Sequence, residues 1–343
     1  MSFDDAYQAL TDHNDDARWA YGTGFSDPLA GVPTALPEGV DAGDLAAYCL
    51  MIGDDALVMS HRLQQWVTRA PELEDEMAIA NIALDLLGQA RLFLTRAGEA
   101  ENSGRDEDAL AYLRDPEDFR NVRLVERVDA DFAQLVARLL VFATWRLALL
   151  DRMAASRDPV LAAIGAKGVK EVAYHRDYAA GWVVRLGDGT ELSHRRMQDA
   201  VDQVWPLTGE LFVPHAVELR LAAAGVAVDP ASLRDECDAV FTEVFRAATL
   251  RRPELPEANA SRAGLPGDGL GRDGGAGLLG GDGRGGGLGR DGGAGRPGRD
   301  GSGGGRGRDG SGGRGRDGVH GEELTEILNE MQGLARATPG GVW

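Results

Sequence analysis

Lysine is almost missing from this sequence. Only Lys167 and Lys170 occur among 36 basic residues, against 55 acids, for a formal net charge of −19 at pH 7. Such an acidic surface is a poor match for duplex nucleic acid or an anionic membrane. An acidic chain that uses Arg in place of Lys suggests a halophilic setting, a saline cytoplasm in which salt screens self-repulsion. Cysteine is just as scarce. Cys49 and Cys237 form neither a disulfide framework nor a CxxC metal site, and their apolar neighbours mark both as small core residues. The start, Met1-Ser2-Phe3-Asp4-Asp5, has no basic n-region followed by an apolar h-region. The most apolar stretch, Phe132 to Leu150, contains Arg138 and Arg146 and does not read as a membrane span. A cytoplasmic protein is expected.

Glycine is ordinary except in one place. Residues 264–318 hold 28 of the 48 glycines, leaving about 290 residues to fold, enough for one sizeable core. Within the tract Asp273, Asp282, Asp291, Asp300 and Asp309 recur every nine residues, the period of calcium-binding β-rolls. A roll needs a large apolar residue two places after each Asp. Here Gly275, Arg284, Gly293, Ser302 and Ser311 stand there, so the roll would have no interior. An RNA-binding reading fails because Asp offsets most of the Arg charge and no aromatics are present to stack on bases. The tract reads as a flexible, solvated insertion. Four segments follow: an acidic N-terminal arm (1–43), a helical bundle (44–262), a Gly/Arg/Asp low-complexity insertion (263–318), and a C-terminal helix and tail (319–343). The arm has room for one short helix before Gly22, and Trp19, Tyr21 and Phe25 could dock it on a neighbour or on its own core.

Strand-like alternation of useful length is also absent, and the periodicity is helical. Leu45, Cys49, Ile52, Ala56, Met59, Leu63 and Trp66 alternate steps of four and three, the buried stripe of a first helix ending near Pro71. A second helix follows, with Met77, Ala80, Leu84 and Leu87 at the same spacing. Residues 101–130 make a looser connection. The third helix, about 131–156, is apolar on most sides and should be surrounded by the others. Asp158-Pro159 opens the fourth as N-cap and first helical residue. Ser193 is the expected cap of a fifth, kinked at Pro206. A sixth follows Asp229-Pro230, and Glu322 to Ala337 makes the last. The fold class is all-α, a helical bundle.

Bundles of this kind can hold a carboxylate-bridged di-iron site, which needs Glu and ExxH twice over, all pointing inward. Residues three apart share a face, so the carboxylate bridges the irons while His binds one of them. The present inventory falls short. The first helix offers Asp54 and Asp55. The second offers Asp85, but Gly88 stands where His belongs; Asn81, Asp85 and Gln89 make a polar stripe. The third has no Asp or Glu between 132 and 150. The fourth offers Glu171 and, one place late, His175. Glu191-Leu-Ser-His194 matches ExxH, but a Ser193 cap would leave Glu191 outside the helix. His13, His61 and His320 have no ligand-spaced partner. The two lysines lie beside Glu171. A buried ammonium can neutralise a carboxylate cluster as a metal would, so Lys167 or Lys170 could fill the vacated position against Asp54, Asp85 or Glu171. A solvated helix face explains them equally well.

Several runs then point to a family. They are His61-Arg-Leu-Gln-Gln-Trp66, Ala70-Pro-Glu-Leu-Glu74 and, most specifically, Ala80-Asn-Ile-Ala-Leu-Asp-Leu-Leu-Gly-Gln-Ala-Arg91. Further on come Ser156–Pro159, Lys170-Glu-Val-Ala-Tyr-His175, Gly181-Trp182, Leu186-Gly-Asp-Gly-Thr190, Met197-Gln198, Glu210-Leu-Phe212, Asn329-Glu-Met-Gln332 and Trp343. Over 44–252 and 319–343 the chain resembles the C-subunit family of the multicomponent 1,2-phenylacetyl-CoA epoxidase. The resemblance implies a ferritin-like bundle with additional C-terminal helices, acting in phenylacetate catabolism. It implies pairing with a homologous subunit that carries the di-iron centre and binds phenylacetyl-CoA, and a reductase subunit that supplies electrons. It implies a structural role for this chain, with no catalytic, cofactor or metal residues of its own, in agreement with the ligand deficit. Asp54, Asp85, Lys167, Lys170, Glu171 and His175 are then the candidates for a vestigial site. The alternative is a di-iron carboxylate oxidase with atypical ligands, Asp54, Asp85, Glu171, His175 and Glu210. The first two helices are the expected partner face, and Arg91 either reaches a CoA phosphate or serves a surface ion pair.

Overall fold

A computed structural model describes residues 29–254 and 314–338; the arm's Trp19, Tyr21 and Phe25, most of the glycine tract and Trp343 lie outside the described residues. Among the described residues no strand occurs, and nine α-helices carry the fold. The long ones are α1 (Ala42–Gln64), α2 (Leu73–Glu101), α4 (Phe132–Met153) and α5 (Pro159–Gly187). The shorter ones are α3 (Glu107–Tyr112), α6 (Glu191–Val204), α7 (Ala216–Ala223), α8 (Arg234–Ala247) and α9 (Glu322–Ala337). The architecture is the expected ferritin-like, all-α bundle: α1 packs along α2, α4 along α5, and α2 closes against α5.

Local chemistry sets the boundaries. Asp41 caps α1 through the Asp44 N–H (2.9 Å), so the bundle begins a little before the expected residue 44. Asp158 caps α5 through the Leu161 N–H (2.9 Å), with Pro159 at the first helical position. The same buried carboxylate accepts from Arg96 Nη2 at 2.5 Å, fastening α2 to the start of α5. The cap of α6 is Thr190, not Ser193, so Glu191 is inside the helix; it lies at the surface and pairs with Arg195. Pro206 ends α6 instead of kinking it, because the chain tightens into a 3₁₀ run, Trp205–Phe212. Helix α7, not expected from sequence, starts at a capping box in which His215 accepts from Val217 N–H while Glu218 accepts the His215 N–H.

Two helices, Leu73–Glu101 and Phe132–Met153, are long and apolar enough to cross a membrane by length and hydropathy alone. In α4 that apolar window is 89% buried within the bundle, the mark of a core helix enclosed by α5, α6 and α8. In α2 only 50% of it is buried. The inward stripe of α2 is Ile79, Ile82, Ala83, Leu86, Ala90 and Phe93. The stripe read from sequence faces outward instead, with Met77 59% and Leu84 51% exposed. Helix α2 is apolar on both faces.

The insertion is shorter than its composition suggested. Residues 314–318 belong to the body of the protein, and Gly315 and Arg316 are buried there. The boundary at 318 moves back to 313.

Candidate functional site

Where α1, α2, α4 and α5 meet, the interior is filled by an arginine. Arg146 on α4 is fully buried; its Nε donates to Gln89 Oε1 at 2.8 Å and its Nη1 to the Ile52 carbonyl at 3.3 Å. The guanidinium lies 5.7 Å from the Phe93 ring centroid and 5.6 Å from that of Phe142, a cation–π setting in place of bulk solvation. Burial pushes its pKa down to about 10, opposed by the attraction of Asp55, so it stays a cation at neutral pH. Gln89 Nε2 then donates to Glu171 Oε2 at 2.8 Å, and Lys167 Nζ meets Glu171 Oε1 at 2.6 Å. One polar chain runs from Arg146 through Gln89 and Glu171 to Lys167 at the bundle's rim. Gly168 makes room for it, since a Cβ there would press on Leu150 Cδ1 at 2.7 Å and approach Gln89.

The expected site residues scatter. Asp54 and Asp55 sit side by side in α1, both fully buried, and arginines from outside the bundle meet them. Asp54 accepts from both terminal nitrogens of Arg114 and from the Arg120 N–H at 2.9 Å. Asp55 accepts from Val122 N–H (2.8 Å) and from Arg316 Nη2 (2.7 Å). Burial pushes the Asp55 carboxyl up, while Arg316 and the Val122 N–H pull it back. Asp85 is half-exposed and bonds to His175 Nε2 at 3.0 Å, away from the Asp54–Asp55 pair. Gly88 faces open space, so the Asp85-x-x-Gly88 spacing looks outward, and Gln89 is the residue of α2 that enters the interior. Glu210 accepts from the Arg123 N–H (2.9 Å) and the Gly315 N–H (2.7 Å).

Of the two lysines, Lys167 pairs with Glu171 at the half-buried rim, and Lys170 is exposed. The buried cation where the four long helices meet is an arginine, Arg146. The sequence held a signal for it: two arginines, Arg138 and Arg146, amid an apolar helix, where a charge persists only if it is hydrogen-bonded or paired. His61 bonds to the Leu57 carbonyl, His194 to that of Gly187, and His320 to Glu126 and the Phe119 carbonyl. Arg91 pairs with Glu107 at 3.0 Å on the surface.

The atypical ligand set does not fit two irons. Asp54, Asp85, Glu171, His175 and Glu210 each already have polar partners, and they lie in separate clusters. Among the described residues no three His, Cys, Asp or Glu side chains gather as metal ligands.

The family model described as phenylacetic acid catabolic protein matches residues 33–265. The chain belongs to that family. It is 38% identical over 299 residues to the C-subunit of the 1,2-phenylacetyl-CoA epoxidase of Escherichia coli strain K12, covering 87% of this chain and 99% of that relative. The chain is thus a homologue of an epoxidase subunit, and the family match spans the helices that enclose Arg146. Of those helices, α1 is buried along most of its length, so α2 is the one of the first two that offers an apolar outer face.

Proposed function

We propose that this chain is the non-catalytic, structural subunit of a ring-1,2-epoxidase complex that acts on phenylacetyl-CoA in phenylacetate catabolism. It braces a homologous catalytic subunit, which holds the di-iron centre, and a reductase subunit completes the complex. The chain has no cofactor of its own and works in the cytoplasm; nucleic acid and membrane are not partners, and the acid excess suits a saline interior. The observation that carries this reading is the Arg146–Gln89–Glu171 chain. It gives the bundle interior a cation and an amide in hydrogen-bonded contact with a carboxylate, which supports a role that needs no paired metal ions in this chain.

The outer face of α2 supports a bracing role. Leu73, Met77 and Leu84 are exposed on it, and Tyr174 of α5 lies exposed on the neighbouring helix. A stripe apolar enough to be mistaken for core marks a surface that a protein partner covers. The occupant is the homologous catalytic subunit.

Co-expression with that subunit tests the reading. The isolated chain should bind no stoichiometric iron, the pair should co-purify, and epoxidation should require both. Met77→Glu with Leu84→Glu should abolish co-purification while leaving the chain folded. Near-stoichiometric iron and oxygen-dependent turnover by this chain alone would refute it.

A further inference from the structure

In a chain with 55 acids and 36 bases, a cation left without an acid stands out. Among the described residues most exposed arginines already hold a carboxylate: Arg91 pairs with Glu107, Arg105 with Glu101, Arg195 with Glu191, Arg220 with Asp44, Arg246 with Glu243 and Arg251 with Asp202. Lys170, Arg69, Arg185 and Arg196 are the exposed cations there with neither a carboxylate nor a carbonyl partner. Three of these four stand at the two ends of one face. Helices α2 and α5 run antiparallel, since Asp75 in the first turn of α2 accepts from the Tyr178 hydroxyl (3.0 Å) and the Trp182 indole (2.8 Å), whereas Gln89 reaches Glu171 and Arg96 reaches Asp158. The exposed stripe of α5 is Lys170, Tyr174, Asp177, Gly181 and Arg185, and it lies beside Leu73, Met77 and Leu84 of α2. Lys170 and Arg185 are fifteen residues apart, about 22 Å along the helix. Arg69, in the turn before α2, shares the Arg185 end. Its guanidinium rests 4.5 Å from the Trp66 ring centroid and that of Arg185 4.6 Å from the Trp182 centroid, with Phe132 bridging the two rings at 6.5 and 5.0 Å.

The acids of this face are already engaged: Asp75 with Tyr178 and Trp182, Asp85 with His175, and Asp177 with Arg176. Between the charged ends the surface is apolar, with Met77, Leu84 and Tyr174 each more than half exposed. A Cβ at Gly88 or Gly181 would meet open space, so another backbone can come close. The complement of such a face is an amphipathic helix with a carboxylate near each end. Two acid-rich chains repel each other at a distance, and free cations on one of them favour contact where they lie. We propose that the α2–α5 face seats one amphipathic helix of the catalytic subunit, about four turns long, whose carboxylates pair with Lys170 at one end and with Arg185 and Arg69 at the other. This deepens the structural-subunit reading above and rests on it. The two charged ends set the register. A helix without acids at that separation would cover the apolar middle and leave the cations desolvated and unpaired, so the ends select which partner the face accepts.

The scarcity of lysine supplies the test. The full chain in complex with the catalytic subunit is treated with a zero-length carbodiimide, which joins an amine to a carboxylate in direct contact, and the linked peptides are identified by mass spectrometry. Lys170 should be joined to an Asp or Glu of the catalytic subunit. Lys170→Arg should remove that link and leave affinity within about three-fold of the natural chain. Lys170→Glu and Arg185→Glu should each weaken pairing by roughly ten-fold or more, with the loss shrinking as salt rises. Arg246→Glu on α8 should change it by less than about two-fold. All of these side chains are exposed in the isolated chain, so each variant should keep the natural unfolding midpoint; Lys170→Gln and Arg185→Gln serve as the milder pair if a reversal prevents folding. Normal pairing by both reversal variants overturns the proposal, as does a Lys170 link made only within this chain or to a second copy of it. The pairing itself would still stand if Met77→Glu with Leu84→Glu blocks co-purification. A natural chain that does not pair at all overturns both.

Discussion

Two of the ionic clusters in the interior of this bundle are assembled in opposite ways. The cluster around Arg146 is built from within: its members come from α2, α4 and α5, its cation touches an amide and a carbonyl, and its carboxylate sits at the rim beside Lys167. The cluster around Asp54 and Asp55 is built from outside. Its acids are fully buried on α1, and both cations arrive from elsewhere, Arg114 after α3 and Arg316 from the end of the glycine tract. Buried charge costs several kcal/mol per ion unless it is paired, so the second cluster depends on distant chain segments reaching it. The first takes all its hydrogen bonds from the long helices, with Asp55 adding attraction across the interior. One cluster fills space, and the other fastens residues 314–318, which lead to α9.

Breaking each cluster should therefore give unlike results. Asp55→Ala leaves Arg316 a buried cation without its carboxylate. It should cost about 3–5 kcal/mol in chemical denaturation and release residues 314–338 to rapid exchange. Arg146→Met alone should cost about 1–3 kcal/mol, because it leaves Gln89 Oε1 and the Ile52 carbonyl without their donor. Adding Gln89→Met should recover most of that loss and bring the chain within about 1 kcal/mol of the natural protein. If the double variant is as damaged as Asp55→Ala, the interior chain is a stability determinant and the contrast between the clusters disappears.

Next in size is a pH effect on the outside-built cluster. Burial raises the Glu218 carboxyl above its ordinary range, although Arg316 and the His215 N–H pull it down. The folded protein then binds this proton more tightly than the unfolded chain does. Its contribution to stability is greatest at low pH. It declines as pH rises from about 4.3, the unfolded value, through the folded one, and is level above that. Glu218→Gln keeps a side chain able to reach back to the cap and removes the titration. The unfolding free energy of the variant should fall less steeply over that window; an unchanged slope would show that Glu218 ionises normally in the fold.

What the sequence disclosed follows the same division. The stripes and caps that made α1, α4, α5 and α9 legible are local signals, as is Asp158-Pro159. The all-α fold and the shortage of inward ligands were legible for that reason. Helix α7 has only eight residues, too few for a stripe to stand out, and its His215 cap is unusual. The face of α2 was misread because both of its sides are apolar, and periodicity cannot say which side the bundle takes. That error also put Asp85 forward where Gln89 belongs. Arg316 was invisible, since Gly-Arg-Asp-Gly occurs five times in the glycine tract and nothing in the motif marks the copy at 315–318 as part of the core.

The smallest expected effects concern the lysines. Lys167 is tied to Glu171 at the rim, with 35% of its side chain exposed, and a pair so placed is worth about 0–1 kcal/mol. Lys170 is exposed, and no hydrogen bond or ion pair joins it to the other described residues. Lys167→Gln should lower stability by at most about 1 kcal/mol and less in high salt, because screening weakens what little Coulomb attraction remains. Lys170→Gln should change it by about 0.5 kcal/mol or less at any salt concentration. A larger loss at Lys170 in the isolated chain would mean that its ammonium finds a carboxylate in the fold. A loss seen only in the assembled complex would place it on a partner surface, one helix away from the apolar face of α2.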